Sequence, residues 1–181
     1  MLRSSNSALV LVLAFGSAAA EPVKSVGVDA TLSLPLSPWI HATGIGGGGS
    51  IWLHLPVTDL VEVTARLGAT VHADRPIGDI SPGARARLSE IPLFGGARYR
   101  LTDGVVRGYL EGEVGLIFRR VDVDVDGLTD NSARIRFASS LGAAIEVDRF
   151  DLRAAVWLAD LSDLDGEIGV IISAGARFYR F

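Results

Sequence analysis

The sequence predicts an all-β protein, an antiparallel up-and-down barrel of eight strands. Three observations lead to this class. Apolar and polar residues alternate strictly over residues 60–72, and seven further segments show the same two-residue period. After residue 20, no segment has the spacing of an amphipathic helix. Finally, the connections alternate between short turns and long loops, as expected for a chain that runs up and down.

The start of the chain is typical of an export signal. Arg3 gives a positive charge, residues 8–15 form a short apolar core, and residues 17–20 are small residues that a signal peptidase accepts. The apolar core is shorter than the roughly 20 residues that a membrane-spanning helix needs. We therefore expect cleavage of the signal peptide, residues 1–20, which leaves residues 21–181 as the barrel domain.

Each predicted strand is an alternating segment bounded by turn residues. The strands are expected at residues 25–36, 48–57, 60–72, 86–101, 105–119, 134–148, 150–160 and 167–181. Short turns that contain Asp are expected at residues 58–59, 102–104 and 148–149. Longer loops rich in Gly, Pro and Asp are expected at residues 37–47, 73–85, 120–133 and 161–166. Short and long connections therefore lie at opposite ends of the barrel.

The polar face of these strands carries charges of both signs, which helps to decide which face meets lipid. Several segments exceed ten residues, enough to cross a hydrocarbon layer when tilted, and the short-turn, long-loop asymmetry is typical of transmembrane barrels. We expect apolar residues to face lipid and charged residues to pair inside a plugged lumen. The predicted lumen network consists of Glu62, Arg66, Glu90, Arg98, Arg107, Glu111, Glu113, Glu146, Arg153 and Arg177.

Composition excludes several functional classes. The chain has no cysteine, which rules out disulfides, thiolate metal sites and a cysteine nucleophile. Its formal charge is -4, and its basic residues are scattered among acidic ones, so nucleic acid is not an expected partner. No cofactor is expected, and the protein is predicted to be a monomer.

Two segments resemble a known family. Residues 91–101, IPLFGGARYRL, have the apolar-Pro start, central glycine and Arg-Tyr pair of a strand that recurs in the small outer-membrane barrels of the OmpA/OmpX/OmpW type. The ending Tyr179-Arg180-Phe181 resembles that family's terminal assembly signal. The resemblance implies the outer membrane of a Gram-negative bacterium, contact with its lipids and lipopolysaccharide, and recognition of Tyr179 and Phe181 by the barrel insertion machinery.

The last strand departs from the family pattern in one respect. The family places apolar residues at alternate positions counted back from the final Phe, whereas here Arg177, Gly175 and Ser173 share the parity of Phe181. A β-bulge inserts one residue and so shifts the parity of the residues beyond it. We therefore expect a bulge near Phe178.

One loop is a weak candidate for a cation site. Asp122, Asp124 and Asp126 precede Gly127 with the opening spacing of a calcium loop, but Ala133 occupies the twelfth position, where a bidentate Glu is needed. The alternative is a strand that continues beyond the membrane with its parity reversed. Valines between the carboxylates favour this second interpretation.

The sequence does not predict an enzyme. His54 and His72 have inward parity and His41 lies in the first long loop, yet none has the Ser or acid partner that hydrolytic barrels require. The predicted function is that of an integral outer-membrane barrel with a structural or surface-interaction role. Three alternatives remain open: a narrow channel or carrier for small solutes, a lipid-active enzyme, and a soluble periplasmic barrel.

Overall fold

The computed structural model describes residues 24–36, 43–76, 84–125, 128–161 and 168–180. The predicted signal peptide, residues 1–20, lies outside this set. Eight long strands make up the fold: β1 Ser25–Pro35, β2 Gly46–Pro56, β3 Val61–His72, β4 Arg85–Arg100, β5 Val106–Val125, β6 Leu128–Val147, β7 Phe150–Leu158 and β8 Ile168–Arg180. A two-residue strand, Arg75–Pro76, pairs with the start of β4. None of the described residues forms a helix long and apolar enough to cross a membrane.

Every long strand pairs antiparallel with its neighbours in sequence, and the first pairs with the last. The β1–β8 ladder runs from Ser25 opposite Arg180 to Pro35 opposite Gly169. The sheet therefore closes on itself and leaves no edge around the cylinder. The predicted fold class, an eight-stranded antiparallel up-and-down barrel, is confirmed.

Burial alternates along the strands, and the apolar residues are those on the outside. On β7, the charged or polar side chains of Asp151 and Arg153 are buried, whereas Leu152 and Val156 are about half exposed. The exposed outer residues of the barrel wall include Val28, Leu32, Ile51, Val63, Leu67, Val71, Ile91, Leu93, Leu110, Val114, Phe118, Ile135, Phe137, Leu141, Ile145, Leu152, Val156 and Ile172. A continuous apolar outer surface of this kind is stable against acyl chains and not against water.

Three tight turns connect strands at one end of the barrel, where the sequence predicts them. In the β2–β3 turn, the Thr58 hydroxyl accepts hydrogen bonds from the backbone N–H groups of Leu60, at 3.2 Å, and Val61, at 3.0 Å. The β4–β5 turn contains Gly104 at a φ of 122°. The two-residue β6–β7 turn holds Asp148 at a φ of 54°, a left-handed conformation that Asp tolerates better than most residues.

The prediction of a long loop at residues 120–133 is wrong. β5 and β6 are each 20 residues long, and their ladder continues without a shift to Val125 opposite Leu128. The physical reason lies in the Val-Asp alternation, since β-branched residues favour extended backbone. Val121 turns inward and packs against the apolar cluster of the interior, while Asp122 and Asp124 turn outward.

These long strands form a sheet that projects beyond the shorter strands of the barrel. We define the projecting sheet as residues 85–88 of β4, 119–125 of β5 and 128–134 of β6. β7 has nine residues, and its ladder with β6 reaches only to Ser139 opposite Leu158. One further hydrogen bond, from the Leu161 N–H to the Phe137 carbonyl at 2.8 Å, extends that pairing. Beyond Phe137, the described chain pairs β6 with β5 alone.

The end of β8 contains the expected bulge. Gly27 lies opposite Arg177, and Val26 lies opposite Tyr179, so Phe178 has no partner residue on β1. The bulge brings two consecutive side chains to the outer surface, Phe178 at 64% exposure and Tyr179 at 58%. The bulge prediction near Phe178 is therefore confirmed.

Candidate functional site

The barrel interior is filled by side chains, and glycines make room for the largest of them. A Cβ atom at Gly27 would overlap the ring of Trp52, and one at Gly169 would overlap the ring of Trp157. Trp52 is also stacked on His54, with 4.1 Å between ring centroids. Both tryptophans are almost fully buried. The described interior is therefore packed like a protein core and does not enclose a wide pore.

An ionic network occupies the half of the interior nearer the short turns. We call it the turn-side network, and it consists of the side chains of Asp29, Glu62, Arg66, Arg98, Arg107, Glu111, Glu113, Glu146, Asp151, Arg153 and Arg177. Five arginines face six carboxylates, so the formal charge with every group ionised is −1. Such a buried set is tolerable in a membrane because nearly every charge has an opposite charge in contact.

Arg153 is one of the two almost fully buried cations of this network. Its Nε donates to Glu111 at 2.6 Å, and one terminal nitrogen donates to Glu113 at 2.6 Å and to the Ser140 hydroxyl at 3.0 Å. The side chains of Arg153 and the two glutamates are each 1–2% exposed. The guanidinium therefore holds together two carboxylates that would otherwise repel each other across the interior.

Arg66 joins the Glu113 carboxylate to the opposite wall. It forms an ion pair with Asp29 on β1 and a longer contact of 3.5 Å with Glu113. The Asp29 carboxylate also accepts a hydrogen bond from the Trp52 indole N–H at 2.7 Å and one from the Ser50 hydroxyl at 3.1 Å. Asp29 therefore connects β1, β2 and β3 through buried polar contacts.

Glu146 forms ion pairs with three arginines close to the short turns. Arg98 approaches it at 3.3 Å and Arg177 at 2.8 Å, and Arg107 also pairs with it. Arg98 in turn contacts Glu62 at 2.6 Å and lies over the ring of Tyr109, 4.0 Å from the centroid. The network thus ends in a cluster that closes the interior at this end.

A second, smaller cluster lies nearer the long-loop end. Glu90 accepts two hydrogen bonds from Arg119, at 2.9 and 2.8 Å, and lies 3.2 Å from the Nε2 atom of His72. The His72 Nδ1 atom lies 2.8 Å from the carbonyl oxygen of Gly44, so both ring nitrogens have a polar contact. The interior also contains an apolar layer, in which Phe94 lies on the turn side of Glu90 along β4 and Leu88 lies beyond Glu90 toward the long loops. The layer consists of Leu88, Phe94, Ile117, Ala138, Trp157 and Ala159.

All ten residues of the predicted lumen network form ion pairs in the structure, but they do not form one network. Glu90 belongs to the second cluster and pairs with Arg119. Sequence reasoning missed Asp29, Asp151 and Arg119, although each has the inward parity of its strand. It also missed the pair of Arg136 with Asp160. The signal was available in each case, since any charged residue at an inward position of a barrel needs a partner.

The two described residues of the predicted cation site, Asp122 and Asp124, lie on an extended strand. Both lie on its outer face, and Asp122 is paired with Arg120 at 2.9 Å. Asp126 lies outside the described residues. Within the part of the chain that the structure describes, no three His, Cys, Asp or Glu side chains are close enough together to hold a metal ion. An extended strand also lacks the curvature of a calcium loop.

The outer face of the projecting sheet carries charges of both signs. Arg87 donates to both carboxylate oxygens of Asp74, at 2.7 and 3.2 Å, and this hydrogen bonding holds the pKa of Asp74 below its usual value. Arg120 and Asp122 form a second exposed pair nearby. The apolar outer surface of the barrel gives way here to a polar one, which places this sheet in water above the membrane.

Comparison with known proteins identifies the fold. No protein-family profile and no curated protein sequence matches the chain. The crystal structure of Ail, the attachment invasion locus protein of Yersinia pestis, superposes with a TM-score of 0.63 at 15% identity, covering 88% of this chain and 100% of that one. The same protein in complex with the heparin analogue sucrose octasulfate gives a TM-score of 0.60 at 15% identity and the same coverage.

Neisserial surface protein A is a third similar structure, with a TM-score of 0.53 at 18% identity over 86% of this chain and 95% of that one. The fold therefore defines the class: this chain has the fold of the small eight-stranded outer-membrane β-barrels. The outer-membrane location that its sequence predicts is confirmed at the level of this class. Of the two residues of the predicted assembly signal, Tyr179 lies exposed on the outer surface and Phe181 lies outside the described residues, so the signal stays a prediction.

Proposed function

We propose that the protein is a membrane-anchored surface-interaction module, in which a closed, charge-filled barrel holds the projecting sheet above the outer membrane. One observation carries the proposal: residues 128–136 of β6 pair with β5 on one side and with no described strand on the other. We call this side of β6 the open edge. An unpaired strand edge offers a row of backbone donors and acceptors to an extended segment of another chain.

The register shows which backbone groups face the open edge. The Phe137 carbonyl points away from β5, because it accepts the hydrogen bond from Leu161. Residues of the same parity, Ile135, Ala133 and Asn131, therefore point their N–H and C=O groups the same way. The Asn131 N–H supports this assignment, since it takes the Asp130 carboxylate as its acceptor at 2.9 Å instead of a β5 carbonyl.

The solved relatives in fold support a role in attachment. One of them is named an attachment invasion locus protein, and another is a neisserial surface protein. The filled interior favours this role over a channel, because the ionic network and the apolar layer occupy the space that a solute would need. A structural contribution to the outer membrane is compatible with the same architecture.

Replacement of Ala133 tests the open edge with little disturbance of the sheet. In A133P the backbone N–H that faces outward is lost, whereas the ladder to β5 uses residues of the other parity. A133V is the matched control because it keeps the donor and favours extended backbone. Escherichia coli cells without other adhesins would be made to express each variant, and their adhesion to epithelial monolayers counted.

We expect the wild type and A133V to confer adhesion and A133P to lose most of it, about tenfold or more, because strand addition depends on these backbone hydrogen bonds. Heat-modifiable gel mobility verifies that each variant is folded. Equal adhesion by folded A133P and A133V would contradict the open edge as the contact surface.

A further inference from the structure

A groove on the outer surface lies at the opposite end of the molecule, at the level of the short turns. It runs between the β6–β7 turn and the bulge of β8, has a volume of about 570 Å³, and is lined by Asp148, Arg149, Phe150, Ala176, Arg177, Phe178, Tyr179 and Arg180. We call it the rim groove. It lies where the apolar outer wall of the barrel ends, which for short turns is the periplasmic side of the membrane.

The two walls of the rim groove are held in fixed relation. The backbone N–H of Arg177 donates to the Arg149 carbonyl at 2.7 Å, and the Arg177 guanidinium donates to the Asp148 carbonyl. The Arg177 side chain is itself anchored to Glu146 at 2.8 Å. The turn and the last strand are therefore held together, next to the bulge at Phe178.

Two cations of the rim groove are available to a ligand. Arg149 and Arg180 are exposed, and neither has a carboxylate partner in the described part of the chain. The other arginines near this end are all paired: Arg98 with Glu62, Arg100 with Asp103, and Arg107 and Arg177 with Glu146. Among the described residues that line the groove, Asp148 is the one acid, so Asp148, Arg149 and Arg180 sum to a formal charge of +1.

Aromatic side chains line the same groove as these cations. Phe150 is 58% exposed, and the Arg149 guanidinium lies over its ring, 5.5 Å from the centroid. Phe178 and Tyr179 contribute two further exposed rings from the bulge. Aromatic rings at a membrane interface pack against the upper part of acyl chains, while guanidinium groups bind phosphate oxygens in pairs.

We propose that the rim groove binds the phosphodiester headgroup of a membrane phospholipid in the periplasmic leaflet. Arg149 and Arg180 bind the phosphate, and the acyl chains lie along Phe150 and Phe178 on the outer wall. The proposed occupant is a lipid and not free phosphate, because exposed aromatic rings line the same groove as the cations and acyl chains would cover them. The site differs from the open edge in location, in residues and in partner.

The test compares lipid retention by purified, folded protein. Protein refolded in detergent would be mixed with equal amounts of dioleoyl phosphatidylglycerol and digalactosyl dioleoylglycerol, which has the same chains and no phosphate. Native mass spectrometry would then measure the bound lipid. The test variant is R149Q/R180Q, and the matched control is R85Q/R87Q, which removes two arginines from the projecting sheet at the other end.

We expect the wild type and R85Q/R87Q to retain phosphatidylglycerol in preference to the galactolipid, and R149Q/R180Q to lose that preference. The loss should be about fivefold for each arginine removed. A titration with inorganic phosphate, followed by the NMR shifts of the arginine Nε–H groups, separates a lipid site from a site for the free anion.

Three results would overturn the proposal: equal retention of both lipids by the wild type, unchanged preference in R149Q/R180Q, or saturable binding of inorganic phosphate alone. If the double variant fails to fold, the single variant R180Q and the aromatic variant F150A provide the same comparison. R180Q should lower phosphatidylglycerol retention and leave galactolipid retention unchanged, whereas F150A should lower retention of both lipids, because both have the same acyl chains.

Discussion

At the scale of single residues, the interior is stable only as a set of matched charges. Arg153 contacts Glu111 and Glu113 at 2.6 Å each, and all three side chains are almost fully buried. Its replacement by Met would leave two neighbouring carboxylates without their common partner. We expect the free energy of unfolding in R153M to fall by about 3–5 kcal/mol.

Urea unfolding in lipid vesicles, followed by tryptophan fluorescence, measures this difference. R100Q is the appropriate comparison because it breaks an ion pair with Asp103 that is largely exposed, and it should cost less than about 1 kcal/mol. A triple variant, R153M/E111Q/E113Q, should recover part of the loss, since it removes the unpaired charges as well. Similar costs for R153M and R100Q would show that the interior is well hydrated.

The same residues show how far a sequence predicts a site of this kind. Parity alone assigns Glu111 and Arg153 to the interior, because a charge at mid-strand cannot face lipid. Parity does not show which charges meet, since the partner of each depends on the register and tilt of strands far apart in sequence. Glu90 illustrates the limit: its partner, Arg119, is fixed by the β4–β5 register and not by local spacing.

At the scale of the strand pair, small residues on one strand allow bulky residues on the next. Gly27 on β1 lies opposite Trp52 on β2, and a methyl group at Gly27 would overlap the indole ring. We expect G27A to destabilise the barrel by about 1–3 kcal/mol, because the tryptophan must leave its packed position. Gly47 on β2 has no atom within 4 Å of its absent Cβ.

G47A is therefore the paired control for G27A, and it should be neutral or stabilising by up to about 1 kcal/mol, because alanine loses less backbone entropy than glycine in a strand. Thermal unfolding of both variants, followed by circular dichroism, gives the comparison. If G47A lost as much stability as G27A, strand glycines would act through backbone flexibility and not by leaving space for Trp52.

The sequence predicts strand boundaries well where the alternation of apolar and polar residues ends near the membrane surface. The sequence predicts β1, β3 and β4 to within one residue at each end. The long loop predicted at residues 120–133 is wrong, because the apolar residues only change face at Arg119 and Arg120; the alternative that the valines favour, a continuing strand, is the one observed. Reversal of parity marks a change of solvent on the outer face, and the backbone ladder continues through it.

At the scale of the whole molecule, the filled interior bears on transport. The turn-side network fills the interior near the short turns, and the apolar layer and the second cluster together fill it toward the long loops. Moving an ion through them would require separating buried ion pairs, at a cost of several kcal/mol for each. We expect purified protein in a planar lipid bilayer to show no reproducible open level at ordinary voltages, and a stable conductance step would contradict the plugged interior.

The closure of the barrel has a consequence for how the protein folds into the membrane. The ladder between β1 and β8 joins residues from the two ends of the chain. The six intervening strands must therefore be in place before its hydrogen bonds can form. A sheet still missing its last strand would carry two bare margins, and hydrocarbon offers no donor or acceptor to satisfy them. Assembly must therefore protect both sheet edges until the barrel closes. Either the unclosed sheet stays outside the hydrocarbon core of the membrane, or another protein pairs temporarily with its edges.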